Sequence, residues 1–524
     1  MIAISQRSLD ALPEAPANPS TGAAELVDQP ESSIPYAGLL LLIVGWLWLL
    51  PLRGGFWLDE TQTAWIIQQG LAGIFARCLQ LKTQAPGYFV IVWLSSKIGG
   101  PSEIALRLPS TVAIGIATYL LFRLTVRVLG PRAAWSSAIV FACAGPVAFA
   151  ATDARPYGIG LMAVLAAILF LVRWLDTGHW MPLIGYCFFT GISVQMHFVF
   201  AITLLVHLIY ATYRILTEKR IAMGQLAAGA VILSAALLPA LFEVLAMLRA
   251  PKSYSFWGSA EFADLFATLA PSALLGSAIM ALLLLYAVWP RFEFRPDKLE
   301  RSSFVLLASS FLVPGVLLLA VARKASLQVF LPRYLLPYEI GLALLAGWLL
   351  SGIQSRLFRA LTLSAIVFAA IMCTTGIKPP HHNGGDWRAA MAAERSVAGN
   401  TNIPVLIRSG FLESSPFDWQ NDDQRRAALF TPLSVYPASG RVIYLPSVLS
   451  PAAVAYINQV SQSQLEQSGR FLFVNQGDIS YENWLLGRFS SEGFTARQVG
   501  RFGGTLKVIL FCKPGGEQPC KSAS

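Results

Sequence analysis

The stretch IPYAGLLLLIVGWLWLLPLRGGFWLDE, Ile34 to Glu60, runs uncharged as far as Arg53 and then sets two carboxylates, Asp59 and Glu60, side by side. A helix needs about 20 apolar residues to cross the hydrocarbon of a bilayer. Ile34 to Leu52 supplies such a run, so the acids stand where a membrane helix ends and a loop begins.

The whole chain repeats that first pattern. Hydrophobic residues make up 55% of 524 positions and charged residues only 13%, where soluble domains carry roughly a quarter charged residues. The chain therefore reads as a polytopic membrane protein and not as a soluble enzyme. Eleven runs reach spanning length: Ile34 to Leu52, Ile104 to Leu129, Ala133 to Ala151, Tyr157 to Leu175, Trp180 to Met196, Phe198 to Leu216, Ile221 to Leu248, Leu269 to Trp289, Phe304 to Val321, Tyr334 to Leu350 and Leu357 to Ile377. GYFVIVWLSSKIGG, Gly87 to Gly100, is shorter, carries Lys97 and reads as a helix lying on the membrane surface, the alternative being a twelfth crossing that would invert the orientation of everything after it.

Charge placement orients this array. With the first helix running outward, the cytoplasmic loops hold Arg123, Arg127, Arg132, Arg173, Arg214, Lys219, Arg220, Arg291, Arg295, Lys298, Arg301, Arg356 and Arg359, as the positive-inside rule asks. The first external segment, with Arg53, Arg77, Lys82 and Lys97, is the exception. Residues 1–33 lack an apolar period and read as a disordered cytoplasmic tail ahead of a retained anchor, with no cleavable signal peptide.

From residue 378 to 524 the pattern changes to that of a small α/β domain, placed outside by the odd number of crossings. NIPVLIRSG, RVIYLPS, RFLFVNQG and TLKVILFCKP read as strands, and DWRAAMAAERSVAG and AAVAYINQVSQSQLEQSG as helices, giving a mostly parallel sheet with a terminal hairpin. The expected fold is thus an all-α polytopic domain over 34–377 followed by an extracytoplasmic α/β domain. Cys512 and Cys520 are candidates for a disulfide around KPGGEQP, while the remaining cysteines fall in or beside apolar segments.

The formal charge of +10 suits anionic headgroups or phosphate-bearing substrates. No nucleic-acid signature or phosphate-binding GxxxxGK[ST] loop is present. His381 and His382 have no cysteine or carboxylate at a familiar ligand spacing, so no metal or other cofactor is assigned. What remains is a set of polar residues at the outer ends of helices: Asp59, Glu60, Lys82, Asp153, Arg155, His197, Arg323, Lys324 and Arg333. Each has a plainer reading alone. Asp59 and Glu60 suit a solvated loop, Arg155 and Arg333 interfacial anchors, His197 a turn, and Trp57, Tyr157 and Tyr334 an interfacial belt. Their convergence on one side favours a site.

FWLDE, QAPGYF, LRLPS, ARPYG and PRYLLP, in this order, resemble the polytopic GT-C glycosyltransferases, and more narrowly the bacterial family-39-like branch that is similar to protein O-mannosyltransferases and the lipid A aminoarabinose transferase. The resemblance covers most of 34–377. It implies an enzyme that takes a sugar from a polyprenyl-phosphate carrier on the outer face of the bacterial inner membrane and passes it to a lipid, glycan or protein acceptor. It also implies a catalytic acid in the first external loop, which falls on Asp59 with Glu60 beside it. Arg155 and Tyr157 match an external Arg-x-Tyr segment, and Arg333 with Tyr334 a late Arg-Tyr pair. The candidate substrate-binding set also takes in Tyr88 of QAPGYF and, from their place at the outer ends of helices, Lys82, Asp153 and His197. One departure stands out: Gln84-Ala85-Pro86 occupies the place where relatives often carry a basic residue or histidine before two prolines.

The chemistry agrees with the resemblance on its own terms. A hydroxyl acceptor needs a base as the new bond forms, for which Asp59 is the candidate. A phosphate leaving group needs its growing charge met by fixed cations. Adjacent helical positions diverge in direction, so Glu60 is expected to hold Asp59 or to pair with a cation such as Arg155. A lipid-linked sugar flippase is the competing reading, but it calls for ionisable groups at mid-membrane depth, where the sequence offers only Arg107 and Glu243 near helix ends. The aromatic loop APKSYSFWGSAEF, Ala250 to Phe262, is a candidate cover for the donor site.

Overall fold

The computed structural model describes residues 34–81, 86–218, 220–248, 261–269, 280, 283–284, 286–287, 293–325, 330–375, 384–399 and 401–513. Lys82, His381, His382, Cys520, nearly all of the Ala250 to Phe262 loop and most of the Leu269 to Trp289 run lie outside these residues. Among the described residues seven helices are long and apolar enough to cross a membrane, which makes this a multi-pass membrane protein. They comprise the continuous stretch Ile34–Arg53, opened by α1 (Ile34–Ile43), then α5 (Glu103–Val128), α8 (Tyr157–Thr177), a stretch through α10 (Thr203–Glu218), α11 (Met223–Leu248), α13 (Arg301–Ala325) and α15 (Arg356–Thr375).

Two expected spans fall just below that length, α9 (Trp180–Met196), which keeps its expected bounds at 17 residues, and α14 (Leu336–Ser351) at 16, and a third is broken. The run Ala133 to Ala151 divides into α6 (Pro131–Cys143) and α7 (Gly145–Ala151), bent by 69°. Ala144 leaves the helical region at φ −59° and ψ 131°, and Pro146 just after it suits only the first turn of a new helix. The break turns α7 toward the site. Among the described spans α8 is the most buried, at 83% of its apolar window, and α11 the least, at 11%, so α8 is the axis of the bundle and α11 lies at its edge.

Two glycines set how closely α14 packs. A methyl group at Gly341 would collide with the backbone of Ser310 and Phe311 on α13, and one at Gly347 with Ser137 on α6. Both neighbours therefore touch the backbone of α14 directly.

The first external segment is not a loop but three helices: α2 (Leu58–Ile67), α3 (Gly70–Leu81) and α4 (Pro86–Gly99). At 14 residues α4 is too short to span a bilayer. Α-helical residues 262–269 (α12) complete the described helices of this domain.

The α/β domain has a five-stranded sheet in the order β2-β1-β3-β5-β4, from β1 (Pro404–Arg408), β2 (Arg441–Leu445), β3 (Arg470–Asn475), β4 (Thr495–Arg501) and β5 (Lys507–Cys512). β1 pairs in parallel with β2 and β3, and the terminal β4–β5 hairpin is antiparallel. β1 is buried along its whole length, as a strand covered on both faces should be. The helices are α16 (Trp387–Ala398), α17 (Asp423–Leu429), α18 (Thr431–Val435), α19 (Pro451–Val460) and α20 (Ile479–Ser491). Cys512 is disulfide-bonded, and Cys78, Cys143, Cys187 and Cys373 are free.

The domain is fastened to the membrane part through the residues just before the acids. Trp57 and Leu58 belong to the hydrophobic core that contains Trp387, Val405 and Val508. Asp386 caps α16 by accepting from the Ala389 N–H at 2.8 Å, and its other oxygen accepts from Gly55 N–H at 3.3 Å. Trp387 N–H donates to Phe56 C=O at 3.1 Å, the Tyr436 hydroxyl accepts from Phe56 N–H at 3.1 Å, and the hydroxyls of Thr61 and Thr431 meet at 2.8 Å. The backbone N–H groups of Gly55, Phe56, Trp387 and Ala389 thus all have partners across or beside this junction, as a rigid contact requires.

Candidate active site

Glu60 is the third residue of α2 and reaches back to the Trp57 N–H at 3.2 Å, as an acid there does to close the open end of a helix. The same carboxylate receives Arg107 of α5 through Nε at 2.7 Å and Nη2 at 2.5 Å, and the Ala154 N–H at 2.8 Å. Arg107 spends its other N–H groups on the carbonyls of Leu52, Gly54 and Gly55, at 3.0, 2.6 and 3.0 Å. Both side chains have 0% exposure. Sequence reasoning expected Glu60 to hold Asp59 or pair with Arg155. Its cation is instead Arg107, which lies 47 residues away and enters from the neighbouring helix. A carboxylate without exposed surface, bonded on both oxygens, ties the loop to α5.

Asp59, next to it, faces the opposite environment. Its carboxylate accepts one hydrogen bond among the described residues, from Arg333 Nη1 at 3.2 Å, and each partner's side chain is 21% exposed. Arg155 Nη1 donates to the Asp59 backbone carbonyl at 3.4 Å and to Gln62 Oε1 at 3.3 Å. The Nε of Arg155 and that of Arg333 are buried without a hydrogen-bond partner among the described residues. Burial works against the charge of each guanidinium, yet neighbouring groups, Asp59 prominent among them, more than compensate and hold both pKa values above the ordinary arginine value. Two cations with unspent donors thus flank one lightly bonded carboxylate.

Aromatic rings wall the space. His197 packs between Tyr157 at 5.0 Å and Tyr334 at 5.3 Å between ring centroids, and the Arg333 guanidinium lies 5.4 Å from the Tyr334 ring and 5.8 Å from that of Trp57. His197 Nδ1 accepts from the Val199 N–H at 3.2 Å, so the neutral ring carries its proton on Nε2. Burial, then the charges of Arg155 and Arg333, push its pKa down to about 3. Asp153 is wholly buried and accepts from Trp57 Nε1 at 2.9 Å. Burial, followed by the negative charge of Glu60, raises its pKa well above the carboxylate range. Asp153 therefore orients Trp57 from behind. Tyr88 is buried too, edge-on to Phe89 at 5.3 Å, in the shell supporting α2.

The structure brings together Asp59, Arg155, Tyr157, His197, Arg333 and Tyr334, with Glu60, Asp153 and Tyr88 behind them; Lys82 lies outside the described residues. Sequence reasoning passed over Gln62, Arg107 and Trp57 as site-building residues. Gln62 was legible, since a residue three positions after Asp59 shares its helical face. Among the described residues no three His, Cys, Asp or Glu side chains gather as a metal-ligand group.

With this geometry in view, comparison with known proteins is informative. The profile of the dolichyl-phosphate-mannose-protein mannosyltransferase family matches residues 83–242. That segment contains Arg107, Asp153, Arg155, Tyr157 and His197 but neither Asp59 nor Arg333. Among solved structures, ArnT from Cupriavidus metallidurans bound to undecaprenyl phosphate superposes with a TM-score of 0.53 and 13% identity, covering 93% of this chain and 99% of that one. This chain has the GT-C fold. The apo form of the same ArnT aligns with a TM-score of 0.49, 11% identity and coverage of 91% and 97%. No curated protein sequence matches the chain. In GT-C terms the family match spans α4 to α11, while the acid and the late Arg-Tyr pair lie on either side of it and are joined to it only by the fold.

Proposed function

We propose that this protein is a membrane glycosyltransferase that moves a sugar from a polyprenyl-phosphate carrier to a hydroxyl of a lipid, glycan or protein. The observation that carries this reading is the Asp59 carboxylate, with Arg333 Nη1 3.2 Å away and Arg155 bonded to its backbone carbonyl. Asp59 takes the proton of the acceptor hydroxyl as that oxygen bonds to the anomeric carbon. The bond from that carbon to the phosphate oxygen breaks at the same time, and polyprenyl phosphate leaves with the electron pair. Arg155 and Arg333 meet the charge that accumulates on it, through the forked donors that suit a phosphate. Direct displacement inverts the anomeric configuration. Tyr157, His197 and Tyr334 offer ring faces for the sugar.

The distribution of cationic loops supports a site on the periplasmic side of a bacterial inner membrane, with the α/β domain above it. The likeness to ArnT, which was captured with undecaprenyl phosphate, supports a carrier of that chemistry. The deciding experiment incubates the purified full-length protein with a panel of radiolabelled undecaprenyl-phosphate sugars and membrane extract. Label should pass from one donor to an extractable acceptor, with release of undecaprenyl phosphate. If no donor loses label, while proteoliposomes carry the intact donor across the bilayer, the protein is a transporter instead.

A further inference from the structure

A cavity of about 420 Å³ lies on the far side of α2 from Asp59. Its walls include Gln68 of α2, Trp93, Ser96 and Lys97 of α4, Leu106 of α5, and Val435 of α18 in the α/β domain. Nine positions along a helix amount to half a turn beyond two full ones, so Gln68 points away from the face that carries Asp59. This is a second compartment, and the chemistry proposed for the first has no use for it.

Three features describe what it would hold. Lys97 is the single charged residue in its lining. Its ammonium sits 5.4 Å from the Trp93 ring and donates no hydrogen bond among the described residues, so its donors are unspent. Next, the helices around the cavity present bare apolar side chains: Ile98 is 92% exposed and Leu94 51% on α4, and Leu79 is 78% exposed on α3. Helices this short with such faces lie in the interface, their apolar sides among acyl chains. Finally, the inner wall is polar enough for a headgroup: Gln68 Nε2 donates to Ser434 C=O at 3.3 Å, and the Ser96 hydroxyl, which donates to Trp93 C=O at 2.7 Å, also lines the cavity. A small water-soluble anion would satisfy Lys97 but make no use of Ile98 and Leu94, whose acyl-chain neighbours place a lipid phosphate within reach of the ammonium. A zwitterionic lipid would cover them and bring its own cation toward Lys97.

We propose that this cavity binds the headgroup of an anionic phospholipid from the surrounding leaflet, its phosphate at Lys97 and its chains along Leu94 and Ile98. The lipid fills the space between α4 and Val435, and so bridges the membrane helices to the α/β domain. This inference stands apart from the glycosyl-transfer reading, because its test measures lipid retention and not turnover.

The test is native mass spectrometry of the full-length protein titrated with palmitoyl-oleoyl phosphatidylglycerol or phosphatidylcholine. The wild type should retain one phosphatidylglycerol with about fivefold preference, the discrimination expected of one basic residue at a membrane surface. Lys97→Ala should erase that preference and Lys97→Arg should keep it. Lys97 is exposed, so neither change threatens the fold, and equal melting temperatures would verify this. Ser434→Trp, which fills the cavity from the domain side, should lower retention of both lipids, and Lys324→Ala should alter neither. Wild-type preference in Lys97→Ala would overturn the proposal. Competition by glycerol 3-phosphate at the same concentration as the lipid would overturn it too, since the cavity would then be a soluble-anion site.

Discussion

Asp59 and Glu60 are neighbours in sequence, yet they belong to two regions with opposite bonding. Around Glu60, the floor of the site is dry: carboxylate and guanidinium, neither side chain exposed, bond to each other and to backbone groups of Leu52, Gly54, Gly55, Trp57 and Ala154. Around Asp59, the mouth is open, with one hydrogen bond to the carboxylate and the Nε of Arg155 and of Arg333 without partners among the described residues. Buried charges must be fully bonded to be tolerated. A working base and a phosphate clamp must keep capacity in reserve. The floor fixes where the mouth's groups stand, and the mouth is left incomplete for a substrate to finish.

Four variants would break or sharpen that contrast. Asp59→Asn should slow sugar transfer about 100- to 10,000-fold, the range for loss of a positioned base, while thermal unfolding and binding of undecaprenyl phosphate stay near wild type. A large fall in stability would move Asp59 to the floor. Arg107→Ala should cost about 3–5 kcal/mol in denaturant unfolding, because Glu60 is left buried and unpaired. The double change Arg107→Met with Glu60→Leu should recover much of that loss, and if it does not, the carbonyls gripped by Arg107 matter more than the ion pair. Arg333→Ala should weaken undecaprenyl phosphate binding by about 1.5–3 kcal/mol, the span for a hydrogen bond to a charged group, with little effect on folding. Titration calorimetry reads it directly.

The smallest effect concerns pH. His197 titrates near 6.5 when unfolded and near 3 when folded. The unfolded chain therefore takes up a proton that the folded chain refuses, and stability falls as pH drops from 6.5 toward 3. The slope is at most about 1.4 kcal/mol per pH unit. Denaturation of the wild type and of His197→Phe at pH 7 and pH 5 would show the difference, and equal slopes would show that His197 charges freely within the fold.

How much of this was legible beforehand differs between the same two regions. The spans were readable because lipid thickness fixes the length of an apolar run, and β1, β3 and β5 because buried strands are continuous apolar stretches. β4, TARQVGR, escaped notice because it is an edge strand with polar, largely exposed side chains. The break at Ala144 was hidden because both halves are equally apolar, and only Pro146 marks it. At the mouth, Asp59, Arg155 and Arg333 were findable as ionisable residues at the outer ends of helices. The floor was not. Glu60 with Arg107, and Trp57 with Asp153, are pairs 47 and 96 residues apart whose meeting depends on helix packing, which no local pattern encodes.

The close approach of α14 to its neighbours carries a consequence for inherited or engineered variation. Arg333 and Tyr334 stand just ahead of this helix, and Gly341 and Gly347 are the points where it is clasped by α13 and α6. A single added methyl at either glycine, deep in the bilayer and remote from any sugar, would tilt the rod that aims the guanidinium. Such a variant should melt at a lower temperature and also mimic the loss of Arg333 in assays.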